Sequence, residues 1–358
     1  MEPKYYDKKK IQANLARLSR LAEGEQNVAV KPRWQASGPE LNQGQFYHNK
    51  EDDFAFLIGR FNVEAEAMES GFHNIPYIQP GFGRTAYLMA VAYGCEPIFI
   101  GNVINAKPRI DSAEGIAEFK KIDNIHEHGF YPELLSRTVE IQERWGDLPF
   151  IPSDTQSPID LATEIVHTEP LMLAMFDQPE PVHRYLSILT ESTVEYLKHE
   201  KTLVKNGIGW NSDYPFPKGV HFSDDNAAFL SPQTYRDFAR PYIEECSDIF
   251  GGVTLHCCMG YQQNIEVMAE TRGFIGFDPQ PAYNPEDKSL RALTGKGFWR
   301  IWDPDIAKSD GAAEEYKRLI DLTEGKTGLM LEINSGSRDR SLAVGAEVLE
   351  YADKKGRL

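Results

Sequence analysis

From residue 148 onward the sequence alternates short apolar runs, each ending in a polar or glycine-rich turn, with amphipathic helical stretches. The runs are Phe150-Ile151-Pro152-Ser153, Ile208-Gly209-Trp210-Asn211, Val253-Thr254-Leu255-His256, Phe274-Ile275-Gly276-Phe277-Asp278, Phe298-Trp299-Arg300-Ile301-Trp302-Asp303 and Leu329-Met330-Leu331-Glu332-Ile333. Helices are predicted between and after them at 181–205, 232–249, 262–270, 312–323 and 342–354. Such alternation predicts parallel strands joined by crossover helices, in a barrel or an open doubly wound sheet. The open sheet would carry GxGxxG after its first strand, and Gly81-Phe82-Gly83 is too little of that fingerprint. The reading is therefore α/β, a single TIM-type (β/α)8 barrel.

Upstream, Ile11, Leu15, Leu18 and Leu21 recur at helical spacing, and a second long helix is predicted at 52–69. A polar stretch with Gly and Pro, 31–49, separates them as a loop. Further helices are predicted at 112–121 and 134–145, with a loop at Gly81-Phe82-Gly83-Arg84. Without a linker or internal repeat, 1–358 reads as one barrel domain whose first 70 residues are mostly a helical extension.

The chain has 38 Lys+Arg against 54 Asp+Glu, a formal charge of -16 over 358 residues. That balance repels phosphate backbones and anionic lipid, so neither nucleic acid nor a membrane surface is expected as a partner. There is no apolar run of about 18 residues, and MEPKYYDKKK lacks the apolar core of a secretory signal. Cys95, Cys246, Cys257 and Cys258 have neither disulfide-framework nor CxxC spacing, which points to a reducing cytoplasm.

In a βα barrel the chemistry sits where strands end. The polar residues there are Ser153, Asp154, Asn211, Asp213, His256, Cys258, Asp278, Asp303, Glu332, Asn334 and Ser335. His256 and Cys258 are two apart on an extended segment, so both face one side and can reach one ion. Imidazole plus thiolate suits zinc. The same spacing also fits a buried cysteine beside a hydrogen-bonded core histidine. Asp278 ends an apolar strand before Pro279, as a turn or a pocket acid. Asp224-Asp225 is either a loop turn or a pair that binds substrate or exchanges protons. Glu332 lies inside an apolar strand, where an unpaired carboxylate is costly, so it needs a metal or a buried arginine. The Phe298-Trp299-Ile301-Trp302 cluster reads as core packing, with tryptophans bordering a flat ligand as the alternative.

The segment SDDNAAFLSPQTYRDFARPY (223–242), then Leu255-His256-Cys257-Cys258-Met259-Gly260 and Gly276-Phe277-Asp278, resembles the uroporphyrinogen decarboxylase superfamily. Weaker similarity runs through Pro80-Gly81-Phe82-Gly83, Ser157-Pro158-Ile159-Asp160 and the strand at 328–336. The resemblance implies a (β/α)8 barrel with a helical N-terminal extension. One branch decarboxylates tetrapyrroles and grips substrate carboxylates with two arginines in an N-terminal segment; here that segment holds Arg33 alone. The other branch transfers methyl groups from corrinoids carried by partner proteins, with a His-x-Cys pair and a later Cys on zinc. His256 and Cys258 match the first two ligands. The third position falls near Ser337, and no cysteine follows Cys258. Glu332, or a water, is the expected substitute.

The resulting expectation is a zinc-assisted methyltransferase working between a corrinoid and a small molecule. Its alternatives are a decarboxylase and a non-catalytic corrinoid- or tetrapyrrole-binding barrel. The expected ligands are His256, Cys258 and Glu332. Asp278, Asp213 and Glu332 are the expected catalytic groups, and Arg33, Phe82, Asp224, Asp225 and Asn334 the expected substrate contacts.

Overall fold

The computed structural model describes residues 1–25, 27–82, 87–279 and 286–358. Among them eight strands form: β1 (Val28–Arg33), β2 (Glu96–Ile100), β3 (Val103–Lys107), β4 (Val220–Ser223), β5 (Val253–Cys257), β6 (Phe274–Pro279), β7 (Phe298–Ile301) and β8 (Gly328–Asn334). Six make one parallel sheet in the order β1, β8, β7, β6, β5, β4, while β2 and β3 pair as an antiparallel hairpin outside it. The predicted strands at 253, 274, 298 and 329 are all present. Their near-continuous apolar composition is that of strands covered on both faces.

Between the sheet edges β1 and β4 the chain makes single bridges. Ile78 bridges Phe150, Phe150 bridges Gly207, Trp210 bridges Val220 and Gln156 bridges Ser223. His73 N–H donates to the Val30 carbonyl of β1 at 3.0 Å. The runs at 150 and 208 thus make single contacts instead of ladders. Pro149 and Pro152 have no N–H to give a ladder. Gly209 sits at φ +54, and a Cβ there would meet the Phe216 carbonyl at 2.0 Å.

Two expectations change. Residues 31–33, read as the start of a loop, are the end of strand β1, because their cations find carboxylate partners inside the barrel. The single helix expected at 232–249 is two, Pro232–Phe238 and Arg240–Phe250, broken at Ala239. Pro241 lacks the N–H to continue the first helix and instead fits the first turn of the second. Of the N-terminal 70 residues, Lys8–Ala22, Gln43–His48 and Lys50–Glu69 are helical and β1 belongs to the barrel. Ile11, Leu18 and Leu21 of the first helix cluster with Ala29, Phe298 and Met330, so this helix covers the N-terminal ends of the strands. That leaves the C-terminal ends for the site. No helix among the described residues is long and apolar enough to cross a membrane.

Candidate functional site

Register places the site. On the parallel pair β5–β6, His256 lies opposite Asp278; on β1–β8, Lys31 lies opposite Glu332 and Arg33 opposite Asn334. Arg300 of β7 stands between these pairs. Side chains two apart on one strand share a face, so Lys31 and Arg33 both turn to Glu332.

The result is a buried lattice of ions. The Glu332 carboxylate accepts from Lys31 Nζ at 3.2 Å, Arg33 Nη1 at 2.8 Å and Arg300 Nη2 at 3.1 Å. Arg33 Nε also meets Glu64 at 2.6 Å. Arg300 Nη1 contacts both Asp213 and Asp278, and its guanidinium lies 4.5 Å over the Tyr214 ring. Burial works against the charge of Arg300, and Asp213, Glu332 and Asp278 more than offset it, raising its pKa. Burial likewise disfavours ionised Glu332, yet Arg300, Arg33 and Lys31 hold it well below the usual carboxylate range. The buried acid expected on β8 has therefore found cations.

His256 is the link from this lattice to the solvent side. Its Nδ1–H donates to the Asp278 carboxylate, and its Nε2 faces Cys258 Sγ at 2.8 Å. Burial alone would lower the imidazole pKa; Asp278 and Cys258 raise it well above the ordinary value. Asp225 comes from the turn after β4. Its N–H and that of Asn226 donate to the buried Asp160 carboxylate at 2.7 and 2.8 Å, and Cys258 N–H donates to Asp225 Oδ1 at 2.5 Å. Donor atoms of Asp225, His256 and Cys258 all lie within 4.8 Å of one another, as do those of Asp213, His221 and Asp278. Glu332, expected as a metal ligand, belongs to neither group; its oxygens are taken up by three cations.

A cleft of about 370 Å3 opens over these residues, lined by Arg33, Arg60, Asp154, Asp213, His221, His256, Cys258, Arg300, Trp302, Glu332 and Asn334 among others. A second cavity of about 460 Å3 shares Arg33, Leu41, Phe56, Arg60 and Asn334 with it and extends outward past Trp34.

Two expected substrate contacts lie elsewhere. Phe82 is fully buried, with the Arg137 guanidinium 4.4 Å over its ring and Tyr47 edge-on at 5.4 Å; the neighbouring Gly83 and Arg84 lie outside the described residues. Asp224 is fully buried and accepts from Ser157 Oγ at 2.7 Å and Tyr235 Oη at 2.6 Å, so it holds the turn. Burial pushes its carboxyl up to about 6. Ser153 donates to buried Glu200, Asn211 to Thr254, and Asp303 caps the helix Pro304–Lys308. Trp299 is core as expected, whereas Trp302 forms cleft wall, its ring 5.9 Å from that of His256.

Residues that sequence reasoning passed over are Lys31, Arg60, His221 and Arg300. Arg300 carried a signal: it interrupts an apolar run as Glu332 does, and the same cost of burying a lone charge applies to both.

Fold and site together define a parallel α/β barrel with a nitrogen, sulfur and oxygen donor set at the C-terminal ends of its strands. Residues 85–296, more than half of the chain, match the family described as uroporphyrinogen decarboxylase (URO-D), and the chain belongs to that family. None of the curated proteins matches the sequence. Among solved structures the chain is similar to a methyltransferase from Methanosarcina mazei, with a TM-score of 0.65 and 16% identity over 96% of this chain and 99% of that one. A candidate vitamin-B12 independent methionine synthase from Listeria monocytogenes aligns over 91% of this chain and 96% of its own at 12% identity, with a TM-score of 0.46. The first of these likenesses supports the barrel fold.

Proposed function

We propose that this chain is a zinc-assisted methyltransferase of the uroporphyrinogen decarboxylase superfamily, moving a methyl group between a corrinoid carried by a partner protein and a small molecule. The observation that supports it best is the arrangement of His256, whose Nδ1 is fixed by Asp278 while Nε2 faces Cys258 Sγ at 2.8 Å. An imidazole oriented by a carboxylate on its far nitrogen is the usual support of a zinc ligand. Asp225 supplies a third donor, in place of both the family's later cysteine and Glu332. Three protein ligands of N, S and O type with a fourth position open fit catalytic zinc.

A zinc ion held there would lower the pKa of a substrate thiol and make it a nucleophile for a methyl group. The chain's own residues do the remaining work. Asp278 keeps a His256 proton on Nδ1, so that Nε2 would be the nitrogen to give up its proton and present its lone pair to the ion. Arg300 neutralises the other Asp278 oxygen and anchors the acid. Asp160 clamps the turn that carries Asp225. Trp302 forms cleft wall beside His256 and limits water on that side.

Zinc analysis of the purified chain tests the reading. We expect about one ion per chain, as a catalytic site holds, and its loss in His256→Ala and Cys258→Ala. A folded chain that takes up no zinc contradicts it and leaves decarboxylation as the better reading of the same cleft.

A further inference from the structure

The cleft's cations are not equivalent. Arg33, Arg300 and Lys31 are each matched by carboxylates of Glu64, Glu332, Asp213 or Asp278. Arg60, on the helix Lys50–Glu69, lines both the inner cleft and its outward extension, and among the described residues it has no carboxylate partner. Its Nη2–H donates to Tyr77 Oη at 2.6 Å, and its guanidinium lies 5.6 Å from the Phe56 ring and 5.4 Å from the Tyr77 ring. The same Tyr77 oxygen accepts from Arg33 Nη2 at 3.3 Å, which ties Arg60 to the lattice without neutralising it. Aromatic faces and one hydroxyl therefore hold a planar cation in place and leave its remaining N–H groups for a ligand. Glu40 and Glu64 also line the outward extension, but Glu64 pairs with Arg33 and Glu40 accepts from Gln35, so in a chain of charge -16 the half-buried Arg60 guanidinium is an unused binding group.

We infer that Arg60 is a specificity-determining residue that selects substrates carrying a single anionic group, a carboxylate, sulfonate or phosphate. The rest of the molecule lies past the apolar Leu41 and Phe56 walls toward His256 and Cys258. One unmatched cation accommodates one anion; a second anionic group would meet Glu40 and Glu64 on the outer wall and Asp154 on the inner one. The proposed methyl transfer gives this orientation its purpose, since the reacting end must reach the metal-ligand pair while the anion stays at Arg60.

Titration calorimetry on the full chain with butyrate, butanesulfonate, butyl phosphate and neutral butyramide tests it. At least one of the anions is expected to bind more than about tenfold tighter than butyramide, a bidentate charge-assisted contact being worth that much, and their ranking identifies the headgroup. Arg60→Gln is expected to erase the preference and Arg60→Lys to keep part of it. Thermal melts of both variants verify folding. Butyramide binding as tightly as every anion, or a folded Arg60→Gln chain that keeps the full preference, overturns the inference. Zinc content is expected to be the same in Arg60→Gln and the parent. An anion preference in a chain that holds no zinc would sink the methyl-transfer reading and leave the anion site standing.

Discussion

Two groups of three ligand-type residues sit side by side at the strand ends, and they have different fates. Asp213, His221 and Asp278 converge as closely as Asp225, His256 and Cys258 do. The first group already contains a cation, because Arg300 Nη1 contacts both of its carboxylates. Among the described residues no lysine or arginine pairs with the donors of the second, and one of them is a thiol. Proximity of acids and imidazole is thus a poor guide to a metal site by itself; what neutralises the acids decides. In the first group the guanidinium does so, and the carboxylates serve to hold Arg300 and His256.

The contrast can be broken from the guanidinium side. Removing a partner from a buried ion lattice leaves uncompensated charge, so Arg300→Met is expected to cost about 3–5 kcal/mol in denaturant unfolding. A loss below about 1 kcal/mol would mean that the carboxylates of the first group do not depend on Arg300.

His221 gives a pH signature to the same group. Burial lowers its imidazole to about 4, against about 6.5 in an unfolded chain. On acidification the unfolded chain takes up the proton first. The stability from neutral His221 is therefore complete above about pH 6.5 and lost as the pH falls toward 4, by up to roughly 3 kcal/mol. His221→Gln should flatten the melting temperature over that window; an unchanged slope would show the imidazole to be charged or solvated in the fold.

On the open side, Asp278→Asn keeps the shape of the His256 contact but loses its charge. Such second-layer carboxylates are worth about 10–100-fold in metal affinity, which competition with a chelating dye can read. Equal affinity in variant and parent would remove Asp278 from its supporting role. The smallest effect is expected at Asp213→Asn. Its side chain is 41% exposed at the cleft, so losing its pair with Arg300 should change stability by less than about 1 kcal/mol.

Much of the fold was legible because β5 to β8 are apolar runs of strand length with helices between them. Strand β1 was not, since Val28-Ala29-Val30-Lys31-Pro32-Arg33 reads as a strand only once Glu332, 301 residues downstream of Lys31, is known to receive the lysine. Nor was β4, four residues with a histidine among them. In the site, the pairing of His256 with Cys258 followed from strand alternation, and the need of Glu332 for a cation followed from the cost of a buried charge. Which cation it would be did not follow, because Lys31, Arg33 and Arg300 reach it through register. Asp225 looked like one half of an acidic pair; the fold separates the two, turning Asp224 into the core and Asp225 toward Cys258.

The central claim is that the metal-holding group is the one with the thiol. Cobalt(II) substitution reads it directly, since a thiolate ligand gives a sulfur-to-metal charge-transfer band that oxygen and nitrogen donors lack. The band is expected in the parent chain and in Asp213→Asn, and absent in Cys258→Ser. Cobalt binding with no such band, or a signal that survives Cys258→Ser and vanishes in Asp213→Asn, would place the metal in the other group.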